Sequence, residues 1–227
     1  MDYTHLFDEF LESSFCFVND GSSDSTLGML KDFEKGRRNQ VAVVNLGANS
    51  GKGEAVRVGV NHILSIHSLD FVGYWDADMS TPLSELHRFV QVLKRRPAVQ
   101  LVCGSRIRRM GAVIERFWYR HYLGRVFATA ASLVLRMPIY DTQCGAKLMR
   151  PELAKQIFAK TFLSRWLFDV ELLARTKRVV GKDKVNQAVF ELPLVKWQDM
   201  GQSKVSFYHY FIRAPFDLIR IFLRYEC

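Results

Sequence analysis

The stretch GYWDADMSTP, residues 73–82, sets two carboxylates one residue apart, Asp76 and Asp78, at the end of an apolar run. Like charges that close repel and each resists burial, so a buried strand that ends this way needs something to relieve the conflict. Three readings compete: a divalent cation held between the two, a solvated turn, and a phosphatase-type DxDx[ST] pattern whose first Asp is a nucleophile. The last requires a later Gly-Asp pair, and no Gly-Asp dipeptide occurs in the chain. The cation is favoured over the solvated turn, with Asp76 and Asp78 as its ligands. Mg²⁺ or Mn²⁺ suits hard oxygen donors, and Mg²⁺ in particular keeps several waters while bridging to substrate phosphates, so two carboxylates are enough protein.

Outward from this stretch, short apolar runs rich in β-branched and aromatic residues recur: FCFVN at 15–19, VAVVN at 41–45, FVGYW at 71–75 and VQLVCG at 99–104. A turn and a helical pattern follow each, which is the signature of βαβ units and a largely parallel sheet. The spacing predicts helices near 25–36, 52–66 and 82–95, the last with Thr81 as N-cap and Pro82 at its first position. In such sheets ligands bind outside the carboxyl ends of the strands. NDGSSDST and DADMSTP both occupy such ends and are expected to line one crevice. After Gly104 the order changes. Residues 111–137 read as a long helix or a helix pair, DTQCGAKLMRPELA as a turn, a short strand and a helix from Pro151, residues 187–197 as a further strand, and the chain from about Ser206 as a last helix.

At 227 residues and 48% hydrophobic content, the chain buries a full core and is not disordered. Its net charge of +9 points to anionic partners: nucleic acid, anionic lipid or a phosphorylated substrate. Four cysteines without CxxC spacing, two of them inside strand-like runs, predict free thiols in a reduced, cytoplasmic setting. No run of about 18 apolar residues reads as a membrane span, so membrane contact is expected to be peripheral.

FVNDGSSDST, 17–26, suits a tight turn whose side chains bond a base or ribose; an Asx-turn with an N-cap at Ser23 or Asp24 is the structural alternative. NLGANSGKGEA, 45–55, is not a P-loop, because three residues rather than four separate Gly47 from Gly51-Lys52. It remains a glycine-rich entry to a helix that brings amides and Lys52 to a phosphate.

VNDGSSDST, NLGANSGKGEAVRVG, YWDADMSTPLSEL, GSRI, DTQCGAKL, WLFDVELL and VKWQDMGQSKVS together, in this order, resemble the family 2 glycosyltransferases of the GT-A fold. The match is closest to the branch that moves a sugar from a nucleotide onto a polyprenyl or dolichyl phosphate, and DTQCGAKL with WLFDVEL looks like dolichyl-phosphate β-glucosyltransferases. The resemblance implies an α/β, Rossmann-like sheet flanked by helices, and an inverting, metal-dependent transfer of a hexose, glucose favoured, from a nucleotide sugar such as UDP-glucose. Asp20, Gly21, Ser22, Lys52 and Asp76 would hold the nucleotide, Asp20 at the uracil edge. Asp141 would stand near the acceptor, and its structural alternative is to cap a turn. Such enzymes usually begin with a strand ending in a Pro-x-Tyr-Asn-Glu-like turn. Here MDYTHLFDEFLESS reads as a helix, so the first strand is expected to be missing from a catalytic domain spanning 1–205.

A dianionic acceptor needs cations. Arg106, Arg108, Arg109, Arg116, Arg120 and Arg125 stand against Glu115 alone in this stretch. Arg106, directly after a strand end, is the first candidate for the acceptor phosphate, Arg116 and Arg120 form a second clamp one helical turn apart, and Lys147 is a weaker candidate. A solvated basic face is the alternative. Asp169 and Glu171 open a helix and diverge on its surface, one to sugar hydroxyls and one as a cap. Trp197 and the loop to Lys204 are expected to close over the donor, against the alternative of a plain surface loop. Residues 206–227 read as an amphipathic helix with Arg213, Asp217, Arg220 and Arg224 along one stripe, fit for an anionic membrane surface on its cytoplasmic side. Two other readings are a basic nucleic-acid-binding module and an inactive, membrane-binding paralogue. Nucleic acid is set aside because Asp76 and Asp78 would repel its phosphates.

Overall fold

A computed structural model of the chain describes residues 4–115, 118–199 and 207–225, with the backbone alone at 4–6, 118–123 and 207–212. In chain order the elements are α1 (Thr4–Glu9), β1 (Phe15–Asn19), α2 (Thr26–Gly36), β2 (Val41–Asn45), α3 (Lys52–Ile66), β3 (Val72–Trp75), a 3₁₀ turn (Leu83–Glu85) and α4 (Leu86–Arg95). There follow β4 (Leu101–Ser105), β5 (Val113–Glu115), α5 (Trp118–Leu135), β6 (Ala146–Met149), α6 (Pro151–Ile157), α7 (Phe168–Val180), α8 (Val185–Ala188), β7 (Val189–Pro193), β8 (Lys196–Gln198) and α9 (Phe207–Tyr225). This is an α/β fold, with helices flanking the strands.

β1 and β2 pair in parallel, and a second sheet has the order β3-β6-β4-β7. Within it β4 and β7 are parallel, as the alternating pattern predicts, but β6 runs antiparallel to both its neighbours. The reason lies in where the chain enters it. Trp75 at the carboxyl end of β3 is paired with Ala146 at the start of β6, so β6 is fed from the loop at the end where β3 leaves the sheet. β5 and β8 form a short parallel pair.

β4 is buried on both faces. Leu101 and Cys103 join one core with α3, α5, α6, α7 and α9, whereas Val102 joins the other with Phe89 and Leu93 of α4. That alternation is the period-two geometry of a central strand. α3 packs on both β1 and β3, so one helix spans the two sheets. Gly59 in α3 leaves room for this: a Cβ there would stand 2.7 Å from the Val18 side chain of β1.

Some boundaries differ from the expected ones. Pro82 is extended (φ −59°, ψ 140°) and the first turn after it is 3₁₀, so Thr81 does not cap that helix. The cap of α2 is shifted too: Ser25 stands at the N-cap and Asp24 Oδ1 accepts from the Thr26 amide at 3.0 Å. The long 111–137 segment divides into β5 and α5, and 187–197 into β7 and β8. α9 runs through Pro215 without interruption. The boundary drawn between 205 and 206 falls outside the described residues.

Cys16, Cys103 and Cys144 are free thiols. Burial pushes them up to about 11, 12 and 11 respectively. At pH 8 that leaves about one thiolate in a thousand or fewer at each. In a Cys227→Ser background, a thiol reagent at pH 8 should therefore leave the native chain unlabelled over minutes and modify three thiols once guanidinium unfolds it. Rapid native labelling would contradict this packing.

Candidate active site

The loops after β1, β2 and β3 meet at one edge of the fold. Gly21 has φ +74°, and a Cβ there would lie 2.5 Å from the Asn49 amide nitrogen, so only glycine lets the two loops touch. Asp20 fastens them: its Oδ1 accepts from Ser50 N at 2.6 Å and its Oδ2 from Gly51 N at 2.9 Å. The Asn19 amide donates to Asn45 Oδ1 at 2.8 Å, and Asn19 Oδ1 accepts from Ser22 N. Asp20 thus holds the entry to α3 as well as standing at the strand end. Arg165 clamps the same loop through Asn49 O and Ser50 O.

α3 begins with Lys52, whose Nζ lies 2.6 Å from Asp76 Oδ1. Burial raises the Asp76 pKa, against the lowering effect of Lys52. Asp76 has space because residue 145 is glycine: a Cβ on Gly145 would stand 1.9 Å from Asp76 Oδ2. Asp78 is exposed and its Oδ1 accepts from Ser80 N at 2.9 Å, within a turn where Met79 adopts φ 56°. Among the described residues no group of three or more His, Cys, Asp or Glu could cage a metal. The donor set does fit a divalent cation: two carboxylates at a strand end, one already bearing a cationic group, suit an ion that retains water and shares phosphate oxygens.

At the end of β4, which leaves the sheet at the same edge as β3, Arg106 and Asp141 form one unit. Nε donates to Asp141 Oδ2 at 2.6 Å, Nη2 to Oδ1 at 2.8 Å, and the Arg106 amide to Oδ2 at 3.1 Å. The guanidinium carbon lies 5.3 Å from the centre of the Trp197 ring. Sequence reasoning gave these two residues separate tasks; the structure makes them a bidentate ion pair. β8 then leads back toward the carboxylates, since Gln198 N donates to Ser80 O at 3.0 Å. Arg116 and Lys204 lie outside the described residues, as does the side chain of Arg120. Arg125 is committed to Tyr140, donating to its carbonyl at 2.8 Å and covering its ring.

Three expectations need correction. Glu171 is fully buried; Oε2 accepts from Leu163 N, and Oε1 from Arg175 Nη2 and the Tyr225 hydroxyl, so it fastens α7 to α9 and does not reach a sugar. Lys147 is also fully buried, with Nζ on Asp169 Oδ1 at 2.5 Å and on the carbonyls of Thr142 and Cys144, so it cannot be a phosphate clamp. Asp169, 2% exposed, accepts from Lys147 and from Tyr74 Oη, and forms the floor of the site, not its surface. Glu191 and Gly145 went unnoticed. A lone acid inside the apolar run VFELPL and a glycine directly before a strand were the available signals.

Comparison with known proteins shows the fold and the family. The fold is GT-A-like: glucosyl-3-phosphoglycerate synthase of Mycobacterium tuberculosis, solved with phosphoglyceric acid, superposes with TM-score 0.63 at 17% identity, covering 94% of this chain and 69% of that one. The same enzyme solved with Mn²⁺ and UDP-glucose gives TM-score 0.62 at 18% identity, covering 92% and 67%. Residues 6–158 match the description of Glycosyl transferase family 2, and the chain belongs to that family. The dolichyl-phosphate beta-glucosyltransferase of Dictyostelium discoideum is 30% identical over 213 residues, 92% of this chain and 62% of that protein. That of Mus musculus is 31% identical over 218 residues, 92% and 63%. The chain thus spans less than two thirds of the length of these relatives.

The Gly145 contact makes a sharp prediction. Gly145→Ala should displace the Asp76 carboxylate and weaken Mn²⁺-dependent nucleotide binding by about tenfold or more, read by calorimetry, with far-UV circular dichroism unchanged. Undiminished binding would show that Asp76 is not held where the structure puts it.

Proposed function

We propose that this chain transfers a glucosyl unit from UDP-glucose to a dolichyl or other polyprenyl phosphate, with inversion at the anomeric carbon. The observation that carries this reading is that two charged clusters sit at one edge of the sheet, because β3 and β4 both run antiparallel to β6: Lys52 with Asp76 and Asp78 after β3, and Arg106 with Asp141 after β4. The named relatives supply the donor sugar and the lipid phosphate.

Asp76 and Asp78 would hold Mg²⁺ or Mn²⁺, whose chemistry there is to neutralise the leaving diphosphate. Lys52, at the start of α3, adds a second positive charge for the same phosphates, in the field of the helix dipole. The loop of Asp20, Gly21 and Ser22 receives the nucleoside. The acceptor brings its own nucleophile: a phosphate monoester with a second pKa of about 6 is a dianion near neutral pH. Its oxygen attacks the anomeric carbon from the face opposite the diphosphate, the bond to the β-phosphate oxygen breaks, and UDP leaves. No proton has to be removed, which suits a site whose Asp141 has both oxygens engaged by Arg106. Arg106 draws the acceptor dianion in, and Asp141 fixes its guanidinium plane.

The acceptor is confined to a bilayer, and α9 offers a surface for reaching it. Ala214, Leu218 and Ile221 enter the core, while Phe216, Ile219, Phe222 and Leu223 remain exposed. Arg213, Arg220 and Arg224 are exposed on the same helix. We read this outward stripe as a peripheral anchor on the anionic, cytosolic face of a membrane. No described helix is long and apolar enough to cross one.

Two measurements check this. With UDP-[¹⁴C]glucose and a short polyprenyl phosphate in vesicles, the wild-type chain should form a glucolipid, and Asp78→Asn or EDTA should cut the rate by about a hundredfold or more. Transfer that persists in EDTA removes the metal from the mechanism. Phe216→Glu with Leu223→Glu alters outward residues only. It should abolish sedimentation with anionic liposomes at unchanged thermal stability; equal pelleting of both chains rules out α9 as the anchor.

A further inference from the structure

Tyr74, Lys147, Cys103 and Glu191 stand opposite one another across β3, β6, β4 and β7, forming a polar row on the core face of the sheet. Such a row is costly to bury unless every member is satisfied. Both charged members bond one short segment, residues 140–144, which contains no helix or strand, and Lys147 keeps its third donor for Asp169. Glu191 Oε2 accepts from Tyr140 N at 2.8 Å and Oε1 from Asp141 N at 2.6 Å. Lys147 Nζ donates to Thr142 O at 3.2 Å and to Cys144 O at 2.8 Å. The polarity is matched: the acid takes consecutive amides, and the base takes the carbonyls that follow. Arg125 takes a third carbonyl of the segment, that of Tyr140.

We propose that Glu191 and Lys147 are positioning residues for sugar transfer: from beneath the sheet edge they fix the backbone of 140–144, and through it the Asp141 carboxylate and the direction of the Arg106 guanidinium. This rests on the acceptor reading above and extends it to residues that touch no substrate. The path is continuous. Glu191 sets two successive peptide planes, those planes set where the Asp141 side chain leaves the backbone, and Asp141 orients Arg106 through two bonds within one fork. The segment has little freedom to adjust, because Asp141, Thr142 and Cys144 are all buried.

Glu191→Gln tests this with minimal change of shape. Glutamine offers one acceptor and one donor where two amide donors converge, so one of the two bonds becomes a donor–donor contact. Displacing a reacting group by about 1 Å costs up to a hundredfold in rate. The expected result is a fall of about 10- to 100-fold in kcat/KM for polyprenyl phosphate, with KM for UDP-glucose within about twofold of wild type. Hydrogen exchange should quicken in residues 140–144. Glu34→Gln is the control: it removes a carboxylate–amide bond of the same kind, to Val43 N at 2.8 Å, between α2 and β2 and away from residues 140–144 in the chain. It should lower stability without separating the two substrates. Unchanged acceptor kinetics in Glu191→Gln, or the same separation in Glu34→Gln, would overturn the proposal. If the wild-type chain glucosylates no polyprenyl phosphate, the acceptor reading itself fails, and exchange in 140–144 still decides: unaltered exchange in Glu191→Gln refutes the grip.

Discussion

The ion pair between Lys147 and Asp169 is the contact on which the rest of the structure turns. Both side chains are almost wholly buried, at 0% and 2% exposure, and an isolated charge in such a place costs several kcal/mol. The cost is met by complete coordination. An ammonium has three N–H donors, and Lys147 directs them to Asp169 Oδ1, Thr142 O and Cys144 O. Asp169 also accepts from the Tyr74 hydroxyl, which burial and the neighbouring Asp169 charge keep protonated by raising its pKa. One buried cluster thereby joins β3, β6, the start of α7 and the loop before β6. The first turn of α7 carries the acid, where the helix dipole favours it.

This placement links fold to chemistry. The loop gripped by Lys147 carries Asp141 at one end and Gly145 at the other; the first orients Arg106, and the second clears space for Asp76. A shift of the loop therefore disturbs the acceptor side and the metal side together. α7 reaches the donor side as well, because a Cβ on Gly53 of α3 would stand 2.8 Å from the Phe168 Cβ atom. Close packing of the two helix starts keeps Lys52 near Asp76. Further along α7, Glu171 and Arg175 bind the Tyr225 hydroxyl, so the buried face of α9 is registered against the same helix.

What could be read from sequence follows a physical division. Strands β1 to β4 and helices α2 and α3 have strong local periodicity, and their loops at strand ends were legible because chain order alone places them on one edge. Chain order likewise brings Lys52, Asp76 and the loop of Asp20 to one place. The antiparallel course of β6 was not legible, since direction depends on which end of the sheet the chain enters from. Asp169 and Glu171 look alike in WLFDVELL, yet one lies over the sheet and the other beside α9, a distinction set by tertiary packing. Lys147 read as a phosphate ligand and Glu191 as an ordinary charge because alternation cannot tell a buried charge with a partner from an exposed one. The Arg106–Asp141 pair joins residues 35 positions apart, beyond any local pattern.

The most direct test of the Lys147–Asp169 cluster is a double-mutant cycle, Lys147→Met and Asp169→Leu, followed by urea unfolding and by glucolipid formation. If the pair is the centre described here, each single change should cost about 3–5 kcal/mol, because it strands a buried charge, and the double variant should be more stable than either. That double variant should still transfer sugar far more slowly than wild type, since loop 140–145 has lost its grip. Additive losses of about 1 kcal/mol each, or a double variant with wild-type turnover, would contradict the account.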